Sequence, residues 1–291
     1  MKSRKTSIRF VGAVGLTIAY FTLTLLFLCT PDSFAADLGI GVVEISQKNV
    51  PFVITKPGSY RLVSNLKVSS LNATAISIAT DNVTIDLNGF TISGPGTQPG
   101  VTAGFGIANA FPSPGLNKNV VVRGGTIQDF DYGVHLAGMN NRVESIHVYN
   151  TSHGIFVGRS SVVSQCQVSS SYTTGIGTDD GCMVLNNTIY STESTQQAIN
   201  TSGGASPVGG NTVMGNNIRF GHKGIRVRGQ GNRIEGNTIT LCETGIDLTE
   251  GSANYFAKNL LLCSVVPWIG EIDDTNGNSI DPALSNIILL P

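Results

Sequence analysis

The sequence is poor in charge. Asp, Glu, Lys and Arg make up 13% of its 291 residues, against roughly 25% in an ordinary soluble domain. The formal net charge is −1, which excludes the basic footprint of a nucleic-acid binder. Aromatic residues are 7% of the chain, with the single tryptophan Trp268, so large anchors of the kind that dominate protein interfaces are few. Beyond the N-terminal segment no stretch sustains a helical period, which excludes bundles and coiled coils. The five cysteines show no metal-type spacing, and no cofactor signature is present.

What the chain does have is one phrase repeated. Gly133-Val134-His135-Leu136, Gly154-Ile155-Phe156-Val157, Gly224-Ile225-Arg226-Val227 and Gly245-Ile246-Asp247-Leu248 all read Gly, apolar, any residue, apolar. The first two start 21 residues apart, as do the last two. Weaker copies stand at Gly106-Ile107, Gly175-Ile176 and Ala198-Ile199. A second phrase follows each first one: Asn141-Arg142-Val143, Asn232-Arg233-Ile234, Asn254-Tyr255-Phe256. Both alternate apolar and polar residues over short runs broken by Gly, Asn and Ser, as half-buried strands do. A fixed short period of such strands predicts a solenoid, in which each coil buries its apolar face only by stacking on its neighbours.

Asn82-Val83-Thr84-Ile85-Asp86-Leu87-Asn88-Gly89-Phe90-Thr91-Ile92-Ser93-Gly94 and the later Gly-Asn-x-Ile and Asn-Asn-x-Ile phrases resemble secreted right-handed parallel β-helix proteins of the pectate-lyase-like superfamily. The resemblance covers about residues 55–280 and implies an all-β, right-handed parallel β-helix of about nine coils. It implies no single activity: the superfamily holds lyases, hydrolases, epimerases, phage tailspikes and metal-enzyme maturation factors. Fold does not carry function here.

The N-terminus reads as an export signal. Lys2, Arg4, Lys5 and Arg9 precede an apolar stretch from Phe10 to Cys29, and Ser33-Phe34-Ala35 offers a small-x-small cleavage site. Cleavage after Ala35 is expected, giving a secreted or periplasmic protein with no membrane segment; the apolar stretch is also long enough for an uncleaved anchor, but its Gly and Thr content and the downstream Ala site favour removal. Residues 36–59 and 267–291 are expected to cap the repeats of residues 60–266 against exposed strand edges. Cys242 and Cys263 fall one coil apart, within reach of a disulfide, but the alignment sets Cys263 over Leu241 and leaves the bridge open.

Aligned coils give columns. Ile146, Cys166, Asn187, Asn216, Asn237 and Asn259 share one, and consecutive Asn in such a column is expected to form a buried amide ladder. Residues two past each glycine, His135, Phe156, Gly177, Asn200, Arg226 and Asp247, point outward, as do those two further on, which include Asp179 and Arg228, so one face gathers His135, Asp179, Arg226, Arg228 and Asp247. The plain expectation for that face is a solvated surface with an Arg226–Asp247 ion pair. A polysaccharide-processing β-helix would need such carboxylates and cations for acid–base work and uronate neutralisation. Asp179-Asp180-Gly181 resembles the paired aspartates of polygalacturonases, and His153-Gly154-Ile155 their histidine element, but the order along the chain is reversed. Asp179, Asp180 and His135 are therefore the catalytic candidates, and Arg226, Arg228, Tyr149 and Tyr190 the binding candidates. Glu271 to Asn278 resembles a calcium loop only loosely and is expected to be a polar capping turn.

Insertions at Thr97–Asn117 and Thr201–Gly210 break the period and are expected to leave one edge of the helix and flank a groove. The expected function is a module that binds a glycan or surface polymer, or a scaffold, without catalysis. A polysaccharide lyase or hydrolase acting on the His135/Asp179/Arg226/Arg228 face is the alternative, and the resemblance alone implies a third reading, maturation of a periplasmic metalloenzyme.

Overall fold

A computed structural model describes residues 41–96, 103–109, 117–190, 197–201, 209–263 and 265–269, and the backbone of Ser279–Ile280 and Ile287–Ile288. The expected leader, the tips of both insertions and Glu271–Asn278 lie outside the described residues. All strand pairing is parallel, and the strands stack in three sheets that wind as a parallel β-helix of about nine turns. The only helix among the described residues is a single 3-10 turn, Gln47–Asn49.

Register follows the repeat. In the first sheet Ile107, Val134, Ile155, Ile176, Ile199, Ile225 and Ile246 lie one over the next. In the second, Ile85, Val122, Val143, Val163, Val184, Val213 and Ile234 do the same. In the third, Ile127, Val148, Val168, Ile189, Ile218 and Ile239 form the column. All of these are 0–3% exposed. Each contributes roughly 1.5–3 kcal/mol by burial, and together they form one continuous core. β-Branched side chains suit this stacking because their restricted χ1 costs nothing on a pleated surface.

The repeat glycine has a steric cause. A Cβ on Gly133 would lie 2.5 Å from Val148 Cγ1 and 2.7 Å from the Gly154 carbonyl oxygen. The backbone of the first sheet passes so close to the third-sheet core column that only a hydrogen fits. The corner before the third sheet has a different requirement. Ser145, Gln165, Asn186, Gly215, Gly236 and Lys258 all have φ between 54° and 67°, the left-handed region where Gly and Asn are least strained.

The residue after each of these turns inward, and here the expected ladder is present. Asn187 donates from N and Nδ2 to Asn216 Oδ1 at 2.9 and 3.0 Å. Asn216 does the same to Asn237, and Asn237 to Asn259, at 3.0 Å throughout. Each Nδ2 also donates to a second-sheet carbonyl, Val163, Val184 and Val213 in turn. All four asparagines are at most 1% exposed. Cys166 continues the column and donates its N–H to Asn187 Oδ1 at 2.9 Å.

A second ladder stands at the corner before the second sheet, where the recurrent Asn of the second phrase falls. Asn211 donates to Asn232 Oδ1 and Asn232 to Asn254 Oδ1, each from N and Nδ2 at 2.8–3.1 Å. The four described cysteines are buried thiols; Cys263 lies near enough to Cys242 to raise its pKa, while Leu241 is exposed.

The ladder reaches beyond residues 60–266. Val43–Ile45 pairs with Gly58–Leu62 and Phe52–Ile54 with Thr74–Ile78, inside the expected N-terminal cap. Ser279–Ile280 and Ile287–Ile288 extend the second and third sheets inside the expected C-terminal cap. The first insertion is also not one loop. Phe105–Asn109 inside it is a first-sheet strand pairing with Thr74–Ile78 and Tyr132–Leu136. Residues 97–102 therefore precede that strand in the sequence and 110–116 follow it.

Candidate functional site

The outer face of the first sheet carries two rows of side chains. The residue before each repeat glycine forms one row: Phe105, Tyr132, His153, Thr174, Gln197 and Lys223. The other runs Ala108, His135, Phe156, Gly177, Asn200 and Arg226. The two rows divide the face into an aromatic half and a charged half.

In the aromatic half five rings touch. Tyr132 stacks on Phe105 with centroids 5.3 Å apart and on His153 at 4.2 Å with planes 5° apart. His135 meets Tyr132 edge-on at 4.9 Å and stacks on Phe156 at 5.1 Å. Burial among these rings lowers the pKa of His135, and the nearby His153 lowers it further against a raising backbone hydrogen bond. Burial also lowers His153, partly opposed by the Asp131 carboxylate. Burial and Asp131 together raise the Tyr132 phenol. The cluster is thus uncharged at neutral pH.

Two hollows flank it. One of about 180 Å3 is bounded by Tyr132, His153, Phe156, Thr174, Gly177 and Asn200. The other, about 680 Å3, lies on the far side of Phe105 and His135, among Ser77, Ala108 and Asn109.

The charged half is self-paired. Lys223 Nζ donates to Asp247 Oδ2 at 2.5 Å, and Asp247 also accepts Thr249 N and Oγ1. The expected Arg226–Asp247 pair is absent. Asp247 is 1% exposed, tucked against Lys223, and Arg226 and Arg228 both engage Glu250 instead. The cause is a register shift between Arg226 and Arg228, which sets Glu250 rather than Thr249 opposite Arg228.

The other candidates do not converge. Asp180 closes a turn, accepting the Gly209 N–H at 3.1 Å and lying 3.7 Å from Arg159. Asp179 stands in the same turn, two coil steps from His135. Tyr149 and Tyr190 share a column two steps apart, but on the third sheet, away from His135. Tyr149 bonds Gln128, and Tyr190 packs edge-on against Phe220 at 5.4 Å. Of the remaining histidines, His147 bonds Ser169 and His222 pairs with Glu243. Phe105, Tyr132 and His153, the heart of the ring cluster, were not among the candidates. Their signal in the sequence is the position before each repeat glycine, which is aromatic in three successive coils.

The geometry defines a parallel β-helix of the pectate-lyase-like type. A family model described as periplasmic copper-binding protein (NosD) matches residues 81–278, and the chain belongs to that family. No curated protein matches the chain. Among solved structures it is similar to an alginate lyase from Paenibacillus sp. str. FPU-7, at 11% identity and TM-score 0.53 over 78% of this chain and 98% of that one. The Dettilon tailspike protein matches at 13% and 0.52, over 86% and 60%. The complex of XylC with xylose matches at 12% and 0.53 over 73% of this chain, which spans 44% of XylC. At such identities the likeness is one of fold.

The family description implies copper, and the described residues do not fit it. They contain no group of three or more His, Cys, Asp or Glu placed to share a metal. Burial pushes the thiols of Cys166, Cys182 and Cys263 up to about 11 and that of Cys242 to about 12, whereas metal ligation needs thiolates. His135 and His153 are two imidazoles inside a ring cluster, and among the described residues they form no three-ligand group with Asp131 or any other side chain. Among the described residues no helix is long and apolar enough to cross a membrane.

Proposed function

We propose that this protein is an exported, non-catalytic module that binds a carbohydrate polymer along the outer face of the first sheet. The observation that carries the reading is the shelf of Phe105, Tyr132, His135, His153 and Phe156 with a hollow at either end. Aromatic faces present apolar area to the C–H face of a sugar ring at little entropic cost, while polar groups beside them fix its hydroxyls. The alginate lyase and the xylose complex of XylC, similar in fold, are named for carbohydrate and support the substrate class.

Catalysis is disfavoured by distance. Proton transfer and charge neutralisation must act on one ring. His135 and Arg226 are four coil steps apart in register, about 19 Å at ~4.8 Å per step. Arg226 and Arg228 are already engaged by Glu250. One observation favours the enzyme reading: neutral imidazoles beside a phenol could move a proton.

A glycan array combined with assays for new reducing ends and for unsaturated uronates separates the two. The expected result is binding without turnover. Turnover abolished by Asp179→Asn, or by His153→Gln, would establish an enzyme instead.

A further inference from the structure

Both hollows are lined by residues with unspent hydrogen-bonding atoms, Asn109 in the larger one and two residues on opposite sides of the smaller one. His153 Nδ1 and Asn200 Oδ1 are both buried, and neither has a partner among the described residues. Both residues line the same space, His153 from the aromatic side and Asn200 from the opposite side. Buried polar atoms are normally paired, and leaving one unpaired costs about 1–3 kcal/mol. Between them Gly177 contributes no side chain. A Cβ there would stand 3.1 Å from Phe156 Cδ2, so the missing side chain is what opens the hollow beside the Phe156 ring. Its volume of about 180 Å3 falls below the roughly 300–1,000 Å3 of sites for drug-sized ligands. It is room for one ring rather than for an oligomer.

We propose that this hollow is a subsite for a single uncharged pyranose of a neutral glycan, one hydroxyl donating to Asn200 Oδ1 and another pairing with His153 Nδ1. The inference rests on the carbohydrate-binding reading and narrows it. An amide oxygen accepts and must be met by a donor, which a hydroxyl supplies and a carboxylate lacks. The imidazole nitrogen accepts or donates according to tautomer, and a hydroxyl satisfies either state. Charge points the same way. The Asp131 carboxylate acts on both Tyr132 and His153 and repels a uronate on that side. One step beyond Asn200, Arg226 is held by Glu250, and beside it Lys223 is held by buried Asp247. Arg226 also has a buried, unpartnered Nε, but it does not line the hollow. A uronate would shed its hydration without gaining a free cation in return.

The test is titration of the full chain with cellohexaose, xylohexaose and mannohexaose, and with hexamannuronate and hexagalacturonate. At least one neutral hexamer is expected to bind about tenfold or more tighter than either uronate, a gap of roughly 1.4 kcal/mol. Gly177→Leu, which fills the hollow from an outward position, is expected to abolish that binding. Asn200→Ala is expected to weaken it about fivefold or more, as loss of one hydrogen bond would. Thermal melts of both variants confirm folding, and Phe156→Ala gives a second route to the same wall. Equal or tighter uronate binding overturns the subsite while leaving carbohydrate binding standing. Neutral binding that survives Gly177→Leu places the sugar elsewhere and also overturns it. Absence of binding to all five probes and across the wider array removes the carbohydrate reading itself.

Discussion

The imidazole of His153 lies flat on the phenol ring of Tyr132, with centroids 4.2 Å apart and planes 5° from parallel. The two residues are register partners across one coil step, so the ladder itself brings the rings into contact. A strand spacing of ~4.8 Å is close to a comfortable aromatic stacking distance. The β-helix therefore turns a sequence recurrence into a flat surface along its axis.

That surface should carry binding more than stability. Tyr132→Ala removes a ring that is half-buried and lies outside the core. Glycan affinity is expected to fall about fivefold or more, and the denaturant midpoint to shift by no more than the roughly 0.5–1.5 kcal/mol of a stacked pair. Titration and a denaturant melt on the same variant check it. A large loss of stability with unchanged affinity would contradict the assignment.

The amide ladder makes the opposite prediction. Asn237→Leu leaves the Asn216 N–H and Nδ2 without the acceptor they share, in a site about 1% exposed. The expected destabilisation is about 1–3 kcal/mol, read from urea midpoints at constant m-value. An unchanged midpoint would show that the ladder is dispensable.

Two glycines one coil apart should respond differently. On Gly154 an added methyl would lie 2.4 Å from the Gly175 carbonyl oxygen and 2.6 Å from Val168 Cγ1. Gly154→Ala is thus expected to cost about 1–3 kcal/mol through forced backbone movement. Gly177 points outward, where its nearest neighbour is the Phe156 ring at 3.1 Å, and Gly177→Ala is expected to stay within about 0.5 kcal/mol. Comparable losses in the two variants would refute the inward–outward distinction.

Acid should weaken the fold through the ring cluster. Burial lowers the pKa of His135 and His153 below the ordinary value. Between the folded and unfolded pKa the unfolded chain then binds more protons, so stability holds above about pH 6.5 and declines as pH falls below it. The double variant His135→Gln/His153→Gln should flatten the melting temperature between about pH 6.5 and 5 relative to the parent. An unaltered slope would mean that neither imidazole is desolvated.

The period of 21 residues was enough to determine the solenoid, the register of its core columns and the Asn187–Asn259 ladder. Each depends only on which residues recur at one repeat, and a parallel stack places recurrent positions over one another. The same logic marked His135, Phe156, Gly177, Asn200 and Arg226 as one outward row.

Side-chain partners were decided by tertiary structure. The register shift after Arg226 gave both arginines to Glu250 and left Asp247 to Lys223, a change no repeat alignment contains, because one extra residue in a strand re-aims everything after it. The strand Phe105–Asn109 was marked only by the weak copy Gly106-Ile107 within a proline-bearing insertion, since its own coil departs from the period on both sides of it. The ring cluster combines two rows that lie apart in sequence phase. Its geometry comes from how far each ring leans across the coil step, which is set by packing in three dimensions rather than by the pattern along the chain.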